Sequence, residues 1–505
     1  MNPIILDGPL GWSQVAAIAV NKAPLELSAA AMSRISAANA IVRSLVERHI
    51  RAYGVNTGVG ALSDTIVPPK QQAALSRNIL MSHSVGVGAP LGVSETRAIM
   101  VAAVNNYAHG YSGLRLVVVE HVVALLNAGC TPVIPRQGSV GYISHMARVG
   151  LMLIGQGHAM LNGERLSAKE ALGRIGLDPL VLEAKEGLCL VNGTPCATGL
   201  ACLVLERARR MMDWADAISA MTLETQRAQI GALNLASMAL RASPGLTHVA
   251  QKLTGMLSGS SILAAAAGRK TQDALSLRSI PHVHGAVRDA WADVATVVNR
   301  ELASVTDNPI VSGTPAAPEV YSQAHAVGAA IGLAMDHLGI AMAELGTISE
   351  RRIDRMVNPL ISGLPAFLAQ ASGVASGLMI AQYTAVSLVA QNRRLAAPAS
   401  LDGGVTSGLQ EDILCHATPA ALKAEEILDN LQKIYAIELL AACQSYDLLG
   451  RDLAPAPQTS ALHQTLRSEI ATYADDRPLG DDIAAAECFM TQNTPDAVWV
   501  RMGCA

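Results

Sequence analysis

Apolar positions recur with a helical period along most of this chain, and the interruptions are few. Between residues 28 and 50, Ile35, Ala38, Ile41, Val42, Leu45 and Val46 fall on one helical face, with Ser28 placed to cap it. The same spacing predicts helices over 113–128 and 201–235, the second with Arg207, Arg209, Arg210 and Asp213 on its wet face. Further long helices are expected at 285–305, 325–357, 366–396, 418–449 and 459–474. Punctuation is confined to Asp307-Asn308-Pro309, Pro315 to Pro318, Pro398 to Gly408 and Pro455 to Pro457. Strand patterns are few and short, and no fixed long-period repeat is visible. The pattern predicts a mostly α fold: an N-terminal lobe of short irregular elements over 1–110 and a long helical bundle over 111–505.

Composition refines this picture. Half of the 505 residues are hydrophobic but only 3% are aromatic, so the core rests on Ala, Leu, Val, Ile and Met. With 42 glycines, that predicts helices packed closely through small side chains. A net charge of -4 gives no basis for nucleic acid or an anionic membrane as partner. The eight cysteines show no C-x-x-C spacing and read as reduced thiols. Residues 1–12 carry Asp7 and no basic start, unlike a secretory signal. The apolar run 324–346 contains His325, Asp336, His337 and Glu344, which argues for a bundle helix rather than a membrane span. These features predict a soluble, cytoplasmic protein.

Candidate chemistry sits at the interruptions. Gly138-Ser139-Val140-Gly141 leads through Tyr142 into an apolar helix, a tight loop that serves as a cap, an anion nest or a functional turn. Tyr53 opens the glycine-rich loop 53–60; it is a general base if its neighbours lower its pKa, or else an amphipathic loop-edge residue. His83 lies between serines and either orients a polar group or is structural. Asn192, in Asn192-Gly193-Thr194, donates to an oxyanion or closes a turn. Arg278 ends a leucine-rich segment, where a guanidinium suits a carboxylate clamp or a salt bridge. His282 and His284 resemble half of a metal site, but no third ligand is spaced to complete it, and no metal is expected. Glu411 and Asp412 follow a glycine-rich stretch and recognise a hydrogen-bonding ligand or cap the next helix.

The order of these segments carries more than any one of them. Tyr-Gly-Val-Asn-Thr-Gly-Val-Gly at 53–60, Ser-His-Ser-Val-Gly-Val-Gly-Ala-Pro at 82–90 and Gly-Tyr-Ser-Gly-Leu-Arg at 110–115 come first. Gly-Ser-Val-Gly at 138–141, Asn-Gly-Thr at 192–194, Gln-Asp-Ala-Leu-Ser-Leu-Arg at 272–278 and Ser-Val-Thr-Asp-Asn-Pro at 304–309 follow. Ser-Glu-Arg-Arg at 349–352, Leu-Met-Ile-Ala-Gln at 378–382 and Gln-Glu-Asp at 410–412 complete the succession. Together they resemble the histidine and aromatic amino-acid ammonia-lyase family, most closely its histidine-specific branch. The resemblance implies a helical homotetramer with active sites shared between subunits, no external cofactor and an amino-acid substrate. It implies loss of ammonia from L-histidine to give urocanate, with an aromatic lyase or a 2,3-aminomutase as the alternative chemistry. By position, Tyr53 would be the base or its partner, and Asn192 and Gln272 would polarise the electrophile and its surroundings. Arg278 and Asn308 would hold the substrate carboxylate, and His83, Met379 and Glu411 would form the side-chain pocket.

The family's electrophile is a methylidene-imidazolone made from an internal Ala-Ser-Gly, expected here between Gly141 and Tyr142. This sequence runs from Gly141 directly into Tyr142. Either the junction holds a cyclised tripeptide that the twenty standard letters do not spell, or the chain lacks the triplet and is a non-catalytic homologue that binds an amino acid or acts as an assembly partner. Ala371-Ser372-Gly373 and Ala375-Ser376-Gly377 lie in a different helical region and do not substitute for it. Two further positions depart from the family: Leu275 replaces its second catalytic tyrosine, and Gln323-Ala324-His325 replaces Asn-Phe-His.

Overall fold

A computed structural model describes residues 2–371, 373–401, 403–450 and 452–504; Ser372 of the first alternative triplet lies outside them. The fold is mostly α, with short sheets between helices. The helix expected from residue 28 runs Ala29–Glu47 and is capped by Ser28, whose hydroxyl accepts from Ala31 N at 3.0 Å. Its apolar stripe of Ile35, Ala38, Ile41, Val42 and Leu45 is buried as the spacing requires. Leu116–Asn127, Ala329–Val357, Ala417–Leu448 and Pro457–Glu469 fall close to their expected spans.

Other boundaries moved for local reasons. The helix expected from residue 201 begins at Pro195, because a proline at the first helical position forgoes an N–H that has no intrahelical acceptor there. Gly199 inside it does not break it; a Cβ there would stand 2.5 Å from the carbonyl oxygen of Ala98, so the glycine permits close packing. The helix expected over 366–396 is reduced to Met379–Leu395, because Phe367 and Leu368 take left-handed φ values of 55° and 57°.

The described residues form two compact units, and the grouping differs from a split at residue 110. The first comprises Met1–Glu206, Val294–Asp336 and Pro398–Leu422. Residues 1–110 are less irregular than their pattern implied: Val93–Ala108 is a helix whose residues from Thr96 to Ala108 are all buried. A helix buried all round has no polar face to reveal its period. Arg97 is held inside it by donating to the carbonyls of Ile18 at 2.7 Å, Ala19 at 3.1 Å and Leu126 at 2.6 Å. The strands among the described residues all belong to this unit, including a parallel pair (Ile4–Leu6 with Leu25–Leu27) and an antiparallel pair (Ile310–Gly313 with Pro318–Tyr321).

The second unit comprises Arg207–Asp293, His337–Ala397 and Lys423–Ala505. Its interior holds charge as well as alanine and leucine. Arg352 and Glu438 are fully buried and paired through Nε–Oε1 at 2.6 Å and Nη2–Oε2 at 2.8 Å, with Thr222 and Ser349 hydroxyls also donating to Glu438. His284, one of the two histidines spaced like metal ligands, instead meets Asp216 at 2.9 Å. The helix Ala329–Val357 is long and apolar enough to cross a membrane by length and composition, but 67% of its apolar window is buried. Asp336 on it accepts from the main-chain N–H of Ala399 and Ser400 at 3.0 and 2.8 Å.

Candidate active site

Four loops and two helix ends of the first unit converge on one cavity of about 940 Å³. Loop 53–60 is built on its own side chains: Asn56 accepts from Ala52 N at 2.8 Å and donates to Ile50 O at 2.9 Å, and Thr57 accepts from Gly54 N at 3.0 Å. This folds Gly60 back so that its N–H donates to the Tyr53 hydroxyl at 3.0 Å. His83 is the last residue of Pro69–His83, where Ser82 holds its Nδ1 at 2.9 Å. Asn192 lies just before Pro195–Thr225, and Asn308 accepts from Gln323 N at 2.7 Å. Glu411 is placed by an antiparallel bridge with Thr406. Tyr53, His83, Tyr142, Asn192, Asn308 and Glu411 therefore line one wall-to-wall space.

The charges inside it are set by burial. Burial lifts the Tyr53 phenol above its ordinary value; the Gly60 N–H opposes this and the Glu411 carboxylate adds to it. The lowered phenol that a tyrosine base needs is not what the fold supplies, so Tyr53 stands protonated. Its oxygen accepts from Gly60, which leaves its O–H to donate into the cavity. Tyr142 is raised further, by burial and then by Glu411, to which its hydroxyl donates at 3.2 Å. Burial lowers His83, against a smaller opposing effect of the Ile79 carbonyl.

Three expected site residues are not gathered here. Gln272, Arg278 and Met379 belong to the second unit and do not line this cavity. Gln272 is exposed, and Leu275, at the position of the family's second tyrosine, is 64% exposed. Arg278 closes the short helix Leu275–Arg278 and is half-buried, its Nε having no partner among the described residues.

A profile of the aromatic amino acid lyase family matches residues 10–468. The histidine ammonia-lyase of Symbiobacterium thermophilum is 43% identical over 488 residues, covering 96% of each chain. This chain belongs to the aromatic amino acid lyase family. Among solved structures, the histidine ammonia-lyase of Trypanosoma cruzi matches this aromatic amino acid lyase with a TM-score of 0.90 and 36% identity, covering 99% of this chain and 94% of the other. The tyrosine aminomutase of Streptomyces globisporus matches with a TM-score of 0.94 and 32% identity, covering 99% of both.

The aromatic amino acid lyase family is of the methylidene-imidazolone type. A methylidene-imidazolone requires a glycine amide free to fold back onto a carbonyl two residues earlier, and a serine between them that loses water. In this lyase the residues between Gly141 and the helix Ser144–Leu153 are Tyr142 and Ile143, which supply neither. Ser139 is followed by Val140 and Ser144 by His145, so neither serine precedes the glycine that cyclisation needs. Ser139 instead braces the turn, donating to Tyr142 O at 2.7 Å and accepting from Gly141 N at 3.2 Å. The residues present do not fit the group.

The junction carries local costs. Gly141 has φ +134°, and a Cβ on it would stand 2.5 Å from Cys415 Sγ. Ile143 sits at φ 82° and ψ -90°, a region hostile to a β-branched residue, and gives the following helix no side-chain cap. Ser144 Oγ and His145 Nδ1 are buried there with no hydrogen-bond partner among the described residues.

The cavity also contains groups that the sequence did not single out as site residues. Gln323 lines it and has a buried Nε2 with no partner among the described residues; in the sequence it shows only as a departure from the family's asparagine. Asn78 and Ser82 line it from the helix that ends at His83, and their i,i+4 spacing, one turn apart on one face, is the available signal.

Proposed function

We propose that this chain is a carbon–nitrogen lyase acting on L-histidine, releasing ammonia and leaving the α,β-unsaturated acid. The observation that supports it best is the placement of Glu411 and a protonated Tyr53 on one cavity, in a chain 43% identical over 488 residues to a histidine ammonia-lyase. Glu411 would accept an N–H of the substrate imidazole, a charge-assisted bond that a phenyl ring cannot make. His83 and Asn308 would border the substrate from the facing walls. Neutral Tyr53 would offer its O–H to the bound amino acid as a hydrogen-bond donor. Residues 141–144 do not supply a methylidene-imidazolone.

A working site would be completed by other copies of the chain. Arg278, Gln272 and Met379, which the resemblance assigns to the site, belong to the second unit and do not line this cavity. A homotetramer with shared sites accounts for that separation. A cytoplasmic setting fits the free cysteines, from Cys130 to Cys504, among the described residues.

The direct Gly141–Tyr142 bond favours a second reading, a family member that binds an amino acid without turning it over. One pair of measurements separates them: ammonia release from L-histidine, and the intact mass of the purified chain against 52.5 kDa. Ammonia with an ultraviolet-absorbing product supports the lyase. Binding without ammonia at the unmodified mass supports the second reading, and a β-amino acid product would identify an aminomutase.

A further inference from the structure

Beneath Asn192 lies a charge pair closed off from water. The Lys185 and Asp307 side chains are 0% and 1% exposed, with Nζ and Oδ2 3.4 Å apart. Lys185 Nζ also donates to Ser112 O at 2.6 Å and lies 3.1 Å from Cys189 Sγ. Burial works against its charge, but the facing Asp307 carboxylate and the Cys189 thiol outweigh that and hold its pKa above the ordinary lysine value. The other carboxylate oxygen, Oδ1, accepts from Asn308 N at 2.8 Å and from Asn192 Nδ2 at 3.4 Å.

This pair, together with the Asn308 carbonyl, fixes how the Asn192 amide is turned. A carboxylate beside an ammonium has no proton to give, so only the NH₂ end of the amide can face it. Nδ2 has a second inward acceptor in the Asn308 carbonyl. With both amide hydrogens directed inward, the polar atom that Asn192 offers the cavity is Oδ1. That is an acceptor, whereas the sequence offers a donor to an oxyanion or a turn-closing amide as the alternatives. Buried ion pairs add little net stability compared with apolar replacements, so what this one orients matters more than what it stabilises.

We propose that Lys185 and Asp307 are positioning residues that hold Asn192 acceptor-outward, and that Asn192 Oδ1 receives an N–H from the α-ammonium of the bound amino acid. This rests on the reading of the cavity as an amino-acid site. The amine is then recognised by a fixed neutral acceptor, while Glu411 reads the side chain.

The test compares L-histidine with its deamino analogue, imidazolepropionate, by titration calorimetry on the full-length protein. Where L-histidine turns over, KM replaces Kd. Asp307→Asn removes the charged one of the two acceptors that hold the amide, leaving the Asn308 carbonyl, and is expected to weaken L-histidine about tenfold while the analogue changes less than about twofold. Asp307→Glu, which keeps the carboxylate, restores most of the loss. Lys185→Met/Asp307→Asn removes both charges together and shows the same selective loss, so the effect is not that of a stranded lysine. Equal weakening of both ligands, or of neither, overturns the proposal while leaving the amino-acid site in place. A wild-type protein that binds neither ligand overturns both.

Discussion

The Tyr142 hydroxyl stands 3.2 Å from Oε2 of Glu411, so the carboxylate proposed to read the substrate's imidazole is already engaged by a phenol. A ligand N–H must displace that contact or share the carboxylate with it. Tyr142→Phe keeps the ring and removes the competing donor. L-Histidine affinity is expected to rise about three- to tenfold, the worth of one hydrogen bond. Titration calorimetry on the two proteins measures it, and a weaker variant would show that the hydroxyl contacts the ligand instead of competing with it.

Glu411 itself is a test of specificity. Glu411→Gln preserves shape and one acceptor oxygen but removes the charge that strengthens a bond to imidazole N–H. L-Histidine binding should fall about tenfold, and L-phenylalanine binding should change less than about twofold. Loss of both ligands in equal measure would place Glu411 in the architecture of the loop rather than in recognition.

Alkali should expose how many acidic groups the interior keeps neutral. Burial pushes the Cys196 and Cys443 thiols up to about 12, from an ordinary 9.0, and lifts the buried Tyr107 and Tyr435 phenols well above 10.0. In the unfolded chain these groups lose protons at their ordinary values, while in the folded chain they keep them. The unfolded state therefore binds fewer protons as pH rises, and stability present below pH 9.0 is lost progressively above it. Thermal unfolding followed from about pH 8 to about pH 11 should show a falling Tm, with Cys443→Ala shallower than wild type. A flat profile would mean that these thiols ionise equally in both states.

The Arg352–Glu438 pair gives a stability test in the second unit. Arg352→Met leaves Glu438 buried with two hydroxyl donors but no cation. Removing one partner of a buried pair costs about 3–5 kcal/mol, whereas replacing both by apolar residues is close to neutral. Denaturant unfolding of Arg352→Met should lose that amount, and Arg352→Met/Glu438→Leu should recover most of it. Equal loss in both variants would assign the cost to packing instead of charge.

How much of this was legible in the sequence depended on whether a residue's reason lay nearby. Ser28 and the stripe behind it announced their helix, because cap and apolar spacing are local signals. The helix Val93–Ala108 hid, since a segment buried on every side shows no alternation. At the site, Tyr53, His83, Asn192 and Glu411 came from loops whose glycines and turn residues marked them, and the fold brings them together. Their chemistry was less legible. The raised Tyr53 phenol depends first on burial in the assembled cavity and then on Glu411, and the inward-turned Asn192 amide on Asp307, both partners more than a hundred residues away. Gln323 was invisible as a site residue for the same reason: only the cavity reveals its unpartnered Nε2.

The last prediction concerns Ile143, which links Tyr142 to the helix Ser144–Leu153 at φ 82° and ψ -90°. A β-branched side chain there costs about 1–3 kcal/mol, because its Cβ crowds the neighbouring peptide. Glycine removes the clash and adds about 0.5–1 kcal/mol of unfolded-chain entropy. If Gly141 is joined to Tyr142 by an ordinary peptide bond, Ile143→Gly should be neutral or more stable by up to about 2 kcal/mol, read as a higher Tm at equal slope. If the junction instead carries a longer, cyclised segment, Ile143 is released from that conformation and the same substitution only removes side-chain contacts. Ile143→Gly would then lower stability by about 1 kcal/mol or more, as a substitution of this kind usually does. The sign of one Tm shift, together with the intact mass, therefore reports on the backbone at the position where the family's chemistry begins.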